Sequence, residues 1–382
     1  MLAITNTTLF TPTPDPTNTA VLINNAHITH IAPTADLPIP PNTKVIDAKG
    51  LLLVPGFIDL QCNGAFGHDF TADPSTIWPV SAQLSRFGVT SYLPTVITSP
   101  LENIDHARHV LLHERPSAYQ GTEPLGLHIE GPFLNPQKKG AHNPAYIQPP
   151  DLALVANWSP ENGVRLVTLA PEMPGAIPVI EALAARGVLI SAGHSMATYD
   201  EALAGIAAGI RYGTHLFNAM PAVGHRQPGL PIALLTSPDV VTGLIPDGIH
   251  VHPALIKLIW SAKGSAGLSL VSDAMAALGM PPGKYMLNDF EVTVSETECR
   301  IPNGSLAGSI LPLDQALRNL IAFTGCTLAE ALATITTTPA RLLGIDHQRG
   351  RIAPSHIADM VLLSADLQVH TTIASGKIVY QN

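Results

Sequence analysis

The feature that most restricts the fold of this chain is a series of eight apolar runs between residues 51 and 273. Most of the runs are continuous rather than alternating, which is typical of parallel strands covered by helices on both faces. Amphipathic stretches lie between several of them (residues 102–115, 176–186, 198–208 and 253–262), and this alternation indicates an α/β fold. The predicted strands are residues 51–59, 89–96, 124–130, 164–170, 188–193, 211–216, 240–246 and 268–273.

At or directly beside the C-terminal ends of four predicted strands lies a side chain that can bind a metal or carry a proton. These side chains are Glu130, His194, His215 and Asp273, and small or turn-forming residues follow each of them. An α/β barrel carries its chemistry at the C-terminal ends of its strands. Eight strands with such residues at their ends therefore favour a closed (β/α)8 TIM barrel over an open, doubly wound sheet.

The two ends of the chain have a different character from its middle. Short apolar runs at residues 2–9, 20–23, 27–31 and 44–47 are separated by Pro, Asn and Thr, and residues 359–363 and 369–380 are similar. We therefore predict a small β-sandwich domain formed by residues 1–53 and 351–382, next to a catalytic barrel domain formed by residues 54–350. Residues 283–301 are predicted to form a hairpin or meander, followed by helices at residues 313–323 and 327–343.

Composition excludes several classes of protein. The chain has 382 residues, of which 46% are hydrophobic and 13% charged, as expected for a compact globular protein. A net charge of −9 argues against nucleic acid or an anionic membrane as the main partner. No uncharged apolar run reaches the length of about 20 residues that spans a bilayer. Three scattered cysteines and an N-terminus without a signal-peptide pattern lead us to expect a cytoplasmic protein.

Three of the strand-end residues suggest a metal site. Imidazole is the commonest metal ligand, and His194 and His215 each follow small residues that leave room for an ion. Glu130 would complete a set of three protein ligands with one open position, which is the arrangement of a catalytic divalent metal. The alternatives are a structural salt bridge for Glu130 and ordinary packing for a single histidine. For His128, on the same strand as Glu130, we favour a hydrogen-bonded core histidine over a role next to the metal.

Other polar residues suggest how a substrate would be handled. Asp273 would act as a general base and acid beside the open position, with a fourth metal ligand or a helix N-cap as the alternatives. His142, in the loop after Glu130, would donate to a substrate carbonyl. Arg226 offers a planar guanidinium for phosphate or carboxylate, and His250 offers a further donor to phosphate.

Motifs along nearly the whole chain resemble those of one family, the N-acetylglucosamine-6-phosphate deacetylases of the amidohydrolase superfamily. The motifs are PGFIDLQCNG at residues 55–64, GLHIEGPF at 126–133, KGAHNP at 139–144, AGHS at 192–195, THLFNAM at 214–220, DGIH at 247–250, SDA at 272–274 and LAGS at 306–309. The resemblance implies hydrolysis of the N-acetyl group of N-acetylglucosamine 6-phosphate to glucosamine 6-phosphate and acetate, in amino-sugar catabolism and cell-wall sugar recycling.

The resemblance also implies roles for single residues. Glu130, His194 and His215 would bind one divalent metal ion per chain, with Zn²⁺ expected and Fe²⁺ or another divalent ion as the alternative. Asp273 would be the general base and acid for a metal-activated water, and His142 would polarise the acetamide carbonyl. Contacts to the sugar or phosphate would come from Asn218, Ala219, Arg226, His250 and Leu306. Some phosphate contacts in this family cross a dimer interface, so we expect a homodimer.

One departure from the wider superfamily affects the metal count. Many amidohydrolases carry His-x-His after the first strand, where this chain has Gln61, Cys62 and Asn63. Because Gln and Asn are poor zinc ligands, we expect a single metal and assign Gln61 to the substrate site. His68 lies nearby in the sequence, but its spacing does not suit a second metal site.

Two rival functions are less well supported by the sequence. A cyclic-amide hydrolase would usually keep His-x-His and a bridging modified lysine, and both are missing at the matching positions. A catalytically silent interaction protein on the same barrel would usually have lost metal ligands, whereas this chain has the whole set.

Overall fold

The protein is described by a computed structural model of residues 1–11 and 13–382, with the side chains of residues 11–17 outside the description. The N-terminal segment forms five strands, which are β1 (Leu2–Thr11), β2 (Thr13–Asn24), β3 (His27–Pro33), β4 (Lys44–Asp47) and β5 (Leu52–Pro55).

The middle of the chain alternates strands with helices. Its strands are β6 (Phe57–Cys62), β7 (Gly64–Ala65), β8 (His68–Asp69), β9 (Val89–Ile97), β10 (Glu123–Pro124), β11 (Leu127–Glu130), β12 (Val164–Leu169), β13 (Leu189–Ala192), β14 (Ile210–Gly213), β15 (Val241–Leu244) and β16 (Leu268–Leu270). Its helices are α1 (Ile77–Leu84), α2 (Leu101–His113), α3 (Ala176–Ala185), α4 (Tyr199–Ala208), α5 (Gly229–Thr236) and α6 (Pro253–Lys263).

The last part of the chain adds a small meander, three helices and three strands. In order they are β17 (Gly283–Leu287), β18 (Phe290–Val294), β19 (Cys299–Arg300), α7 (Leu313–Thr324), α8 (Leu328–Ala333), α9 (Thr337–Leu342), β20 (Met360–Leu363), β21 (Val369–Ala374) and β22 (Lys377–Gln381). The predicted meander at residues 283–301 is confirmed as the antiparallel sheet β17–β18–β19. Within the described part of the chain, no helix is both long and apolar enough to cross a membrane.

Eight parallel strands form a nearly closed barrel. Hydrogen-bonded neighbours follow the order β6, β9, β11, β12, β13, β14, β15 and β16. The first and last strands are joined just beyond their ends, where Asp273 N–H donates to Gln61 C=O at 2.9 Å and Asn63 N–H donates to Ala274 C=O at 2.7 Å. The carboxyl ends of the strands therefore meet at one rim, and the predicted (β/α)8 barrel is confirmed.

Strands from both ends of the chain form a separate sheet. Its order is β22, β21, β20, β5, β1, β2 and β3, with β4 beside β1. The N- and C-terminal segments meet where β5 pairs antiparallel with β20, and β1 pairs in parallel with both β4 and β5. The division of the chain into domains at residues 53 and 351 stays a prediction.

Three predicted elements are divided in the structure. Residues 51–59 were predicted as one strand, but β5 belongs to the terminal sheet and β6 to the barrel. The chain changes sheet at Gly56, where an added Cβ would lie 2.2 Å from Thr90 Oγ1, so only glycine fits. Residues 124–130 are interrupted at Gly126, which has a φ of 137°. Residues 327–343 form α8 and α9 rather than one helix, because the backbone N–H groups of residues 334–336 bond three residues back and Thr336 leaves helical geometry, with φ −132° and ψ −82°.

Polar side chains fill the barrel interior beneath the rim. His128 is fully buried, with Nε2 2.7 Å from Thr168 Oγ1 and Nδ1 3.2 Å from Thr95 Oγ1. Burial lowers the pKa of His128 to about 4, so the ring is neutral near pH 7. The prediction of a hydrogen-bonded core histidine is confirmed.

Candidate active site

Three strand ends bring Glu130, His194 and His215 to one point at the rim. Glu130 ends β11, while His194 and His215 follow β13 and β14 by two residues. Glu130 Oε1 lies 3.2 Å from Nε2 of each histidine, and the two Nε2 atoms are 3.1 Å apart. Within the described residues these three form the cluster that could hold a metal ion, and all are buried.

The donor set fits a divalent cation. Ligand distances of about 2.1 Å in a tetrahedral site place neighbouring ligand atoms about 3.4 Å apart, close to the separations here. His194 Nδ1 lies 2.8 Å from the Lys138 carbonyl and can only donate to it, which leaves Nε2 unprotonated for a metal. His215 Nδ1 is buried and has no hydrogen-bond partner among the described residues. A cation between these atoms would balance the carboxylate charge and replace any proton held between the ring nitrogens and Glu130.

The electrostatics of the cluster keep the carboxylate ionised. Burial alone would raise the pKa of Glu130, but hydrogen bonds and charge interactions with His194 and His215 hold it well below its ordinary value. Burial would lower the pKa of His215, whereas its contact with Glu130 raises it. Glu130 is therefore an anion at neutral pH, as a metal ligand must be.

Asp273 lies beside the cluster, beyond the end of β16. Ala274, which follows it, forms β-bridges with Cys62 and Ser309, so Asp273 does not cap a helix. Its Oδ1 accepts a hydrogen bond from Asn63 Nδ2 at 2.8 Å. Burial is the main cause that raises the pKa of Asp273 to about 6, and the charge of Glu130 adds to it, while His215 acts in the opposite direction. A carboxyl group with this pKa can both accept and donate a proton near neutral pH.

His142 faces the cluster from the loop after β11. Its Nδ1 accepts from the Thr98 backbone N–H at 3.3 Å, so the proton of the neutral ring is on Nε2. Burial lowers the pKa of His142 to about 3, which keeps the ring neutral. Nε2 lies 4.0 Å from Glu130 Oε2, inside the same cavity. A neutral imidazole with its N–H in the cavity can donate to a carbonyl oxygen.

The three metal-binding candidates, Asp273 and His142 line one cavity of about 470 Å³. Four further predicted residues line it too, namely Asn218, Ala219, His250 and Leu306. His250 Nδ1 is 2.6 Å from Asp247 Oδ2, so Asp247 fixes the ring and leaves Nε2 for a ligand. The structure thus brings nine of the eleven predicted site residues to one space.

The other two predicted site residues lie elsewhere. Gln61 does not line the cavity, and its Nε2 donates to Glu130 Oε1 at 3.2 Å. Arg226 is exposed, lies outside the cavity of its own chain and bonds to His225. His68 is exposed on β8 and is not part of the metal-binding cluster found within the described residues.

Some residues of the cavity were not predicted as site residues. Asn63 lines it and holds Asp273, although the sequence suggested only that it is a poor zinc ligand. Lys138 lines the cavity and supplies the carbonyl that binds His194. Arg300 reaches the cavity from the meander, with its guanidinium bonded to Glu298 and to the Gly304 carbonyl. No local sequence pattern indicates a role for Arg300, because it lies on the meander, far along the sequence from the strand ends that form the rim.

Comparisons with known sequences find relatives over almost the whole chain. Residues 52–379 match the model of the amidohydrolase family. The chain is 38% identical over 350 residues to the N-acetylglucosamine-6-phosphate deacetylase of Homo sapiens, covering 88% of this chain and 85% of that protein. It is 36% identical over 375 residues to the N-acetylglucosamine-6-phosphate deacetylase of Bacillus subtilis, covering 95% and 93%.

Solved structures of such proteins have the same fold. The N-acetylglucosamine-6-phosphate deacetylase of Pasteurella multocida superposes with a TM-score of 0.92 at 33% identity, covering 100% of both chains. A mutant N-acetyl-D-glucosamine-6-phosphate deacetylase of Mycobacterium smegmatis, in complex with N-acetyl-D-glucosamine-6-phosphate, gives a TM-score of 0.89 at 31% identity. That superposition covers 100% of this chain and 99% of the other.

Proposed function

The chain belongs to the amidohydrolase family, and we propose that it hydrolyses the N-acetyl group of N-acetylglucosamine 6-phosphate. The products are glucosamine 6-phosphate and acetate, and the reaction belongs to amino-sugar catabolism and the recycling of cell-wall sugars. The observation that carries this proposal is the convergence of Glu130, His194 and His215 in one cavity with Asp273 and His142. This set contains a metal-binding cluster, a proton carrier and a donor to a carbonyl.

We assign Glu130, His194 and His215 as the ligands of one divalent ion. A bound ion would polarise the acetamide carbonyl and lower the pKa of a water molecule at its open position. Two imidazoles and one carboxylate suit Zn²⁺, which we propose as the ion, while Fe²⁺ and other divalent ions suit the same donors. Gln61 bonds to Glu130 through its amide and provides no imidazole for a second zinc ion.

Asp273 and His142 carry out the proton transfer and the carbonyl activation in this proposal. The Asp273 carboxylate accepts the proton of the attacking water and later returns it to the departing amine, for which its pKa of about 6 is suited. His142 donates its Nε2 proton in a hydrogen bond to the carbonyl oxygen and stabilises the negative charge that develops there. Its lowered pKa keeps the ring neutral, and because Nδ1 accepts from Thr98 the one ring proton is on Nε2.

The phosphorylated end of the substrate needs positive or hydrogen-bonding groups, since the chain has a net charge of −9. We propose that His250, Asn218 and the backbone at Ala219 bind the sugar and its phosphate, with Leu306 against the ring. Arg226 lies outside the cavity of its own chain. We therefore propose a homodimer in which Arg226 reaches the phosphate in the cavity of the other subunit. A cytoplasmic location, inferred from cysteine content, is part of the same proposal.

The experiment that tests the function measures two quantities on the purified protein. The first is metal content per chain, and the second is acetate release from N-acetylglucosamine 6-phosphate and from the unphosphorylated sugar. His194→Asn should lose both metal and activity. His109→Asn is the matched control, because its side chain is 60% exposed on α2 and does not line the cavity. It should retain both.

Each outcome bears on a different part of the proposal. About one metal per chain and a strong preference for the phosphorylated sugar would support the whole of it. Two metals per chain would contradict the single-metal assignment. If the metal-loaded protein released acetate from neither sugar, the proposed reaction would be wrong, but the assignment of the metal ligands would still hold.

A further inference from the structure

The side-chain amide of Asn63 contacts Asp273, the carboxylate that we propose as the general base. Asn63 follows β6, lines the cavity and is only 3% exposed. Its Nδ2 donates to Asp273 Oδ1 at 2.8 Å, which is the one side-chain hydrogen bond of Asp273 within the described part of the chain. The second oxygen, Oδ2, is therefore the one that remains for a substrate or a proton.

The backbone holds both partners of this bond rigidly. Asn63 N–H donates to Ala274 C=O at 2.7 Å, and Asn63 C=O accepts from Phe70 N–H at 3.0 Å. Asp273 N–H donates to Gln61 C=O at 2.9 Å, and Asp273 C=O accepts from Ser309 N–H at 2.8 Å. Because both backbones are fixed, the carboxylate of Asp273 can move only by rotation of its side chain, and the hydrogen bond from the Asn63 amide restricts this rotation.

Packing alone does not explain an asparagine at this position. Asn63 Oδ1 is buried and has no hydrogen-bond partner among the described residues. A buried polar atom without a partner is unfavourable, so an apolar residue of similar volume would pack better there. Gln61 has a similar arrangement, since its Nε2 donates to Glu130 while its Oε1 finds no hydrogen-bond partner in the described part of the chain. Both amides direct their N–H groups at a carboxylate of the cavity.

We propose that Asn63 is a positioning residue that fixes Asp273 with Oδ1 turned to the barrel and Oδ2 turned to the reacting groups. The inference rests on the proposed deacetylase function and adds a residue to it. An amide donor neither gains nor loses a proton near neutral pH, so it bonds to Oδ1 whether Asp273 is ionised or protonated. The proton taken from water then resides on Oδ2 and leaves from the same atom to the departing amine.

The test compares Asn63→Leu and Asn63→Asp with the unchanged protein, all loaded with metal. The Leu variant removes the donor and keeps a branched side chain of four heavy atoms, and the Asp variant replaces the donor with an acceptor. Both should lower kcat for N-acetylglucosamine 6-phosphate about 10- to 100-fold, with KM within about twofold, because a misplaced catalytic group slows the reaction without weakening binding. Metal content should stay that of the unchanged protein.

A matched control separates positioning from a general loss of an amide. Asn103 on α2 is half-buried and donates through Nδ2 to the Thr71 carbonyl at 3.0 Å. Asn103→Leu should leave kcat and KM unchanged. A kcat within about twofold of normal in both Asn63 variants would overturn the inference, as would a rise in KM at unchanged kcat, which would make Asn63 a substrate contact.

A crystal structure of each Asn63 variant tests the geometry without any substrate. The Asp273 carboxylate should rotate away from its position in the unchanged protein, and an unmoved carboxylate would overturn the inference even if activity fell. If the unchanged protein released no acetate, the proposed function would fail. The rotation of Asp273 would still decide whether Asn63 positions it.

Discussion

Replacement of Asp273 by Asn should lower the activity of the protein and raise the stability of its metal-free form. Asn has the shape of Asp, and its carbonyl oxygen can accept the bond from Asn63 Nδ2 that Asp273 Oδ1 now accepts. It cannot take a proton from water. We therefore expect Asp273→Asn to retain the metal and a nearly normal KM, while kcat falls about 10²- to 10⁴-fold, the usual contribution of a general base.

The stability of the same variant follows from the raised pKa of the carboxyl. Burial and Glu130 raise it to about 6 in the folded protein, compared with 3.8 for an unperturbed Asp. At a pH above both pKa values, Asp273 is ionised in the folded and the unfolded protein, and burial makes the anion less favourable in the folded one. Asp273 therefore destabilises the metal-free protein by about 3 kcal/mol at pH 7. As pH falls through the folded pKa, the folded carboxyl takes up a proton, and the destabilisation drops to roughly half at pH 5.

Asp273→Asn removes this charge and should stabilise the metal-free protein at pH 7 more than at pH 5. Urea unfolding, followed by the fluorescence of the three tryptophans in the presence of a chelator, measures the free energy of unfolding at each pH. Acetate release by the metal-loaded variant measures the rate. A less stable variant at pH 7, or an equal gain at both pH values, would refute the electrostatic reasoning. A rate within a few-fold of normal would refute the role of Asp273 as the base.

Three further changes probe the metal, the phosphate and the fold. Glu130→Gln should leave the protein without bound metal after dialysis, as measured by metal analysis, because it removes the anionic ligand between the two histidines. His250→Ala should raise KM about tenfold for the phosphorylated sugar and leave the slow reaction of the unphosphorylated sugar unchanged, as measured by acetate release. Arg349→Met breaks a buried ion pair with Asp359 and should lower the free energy of urea unfolding by about 3–5 kcal/mol, with metal content unchanged.

The sequence predicts the barrel well because its signals are local. Continuous apolar strands, amphipathic helices between them and polar residues at strand ends each occupy a short stretch of chain. Glu130, His194 and His215 could be grouped without a structure, since the carboxyl ends of parallel barrel strands meet at one rim. Their separations of 3.1–3.2 Å show that the grouping holds at atomic scale.

What the sequence did not predict depends on contacts between remote segments. The change of sheet at Gly56 follows from the close approach of Thr90, which no local pattern reveals. Asn63 and Asp273 are 210 residues apart, so their hydrogen bond is invisible before the barrel closes. Gln61 was assigned to the substrate site, and only the structure shows that its amide bonds to Glu130.

Several residues at this rim depart from the ordinary preferences of a folded chain. His194, His215 and Asp273 have φ values of 50°, 29° and 47°, in the left-handed region that costs a residue with a side chain about 1–2 kcal/mol each. In the part of the chain that the structure describes, buried side-chain atoms of Gln61, Asn63 and His215 have no hydrogen-bond partner. Glycine would relieve the backbone strain, and apolar residues would relieve the polar burial, but neither could bind a metal or carry a proton. The strain and the polar burial at these residues are therefore best explained by the chemistry of the site.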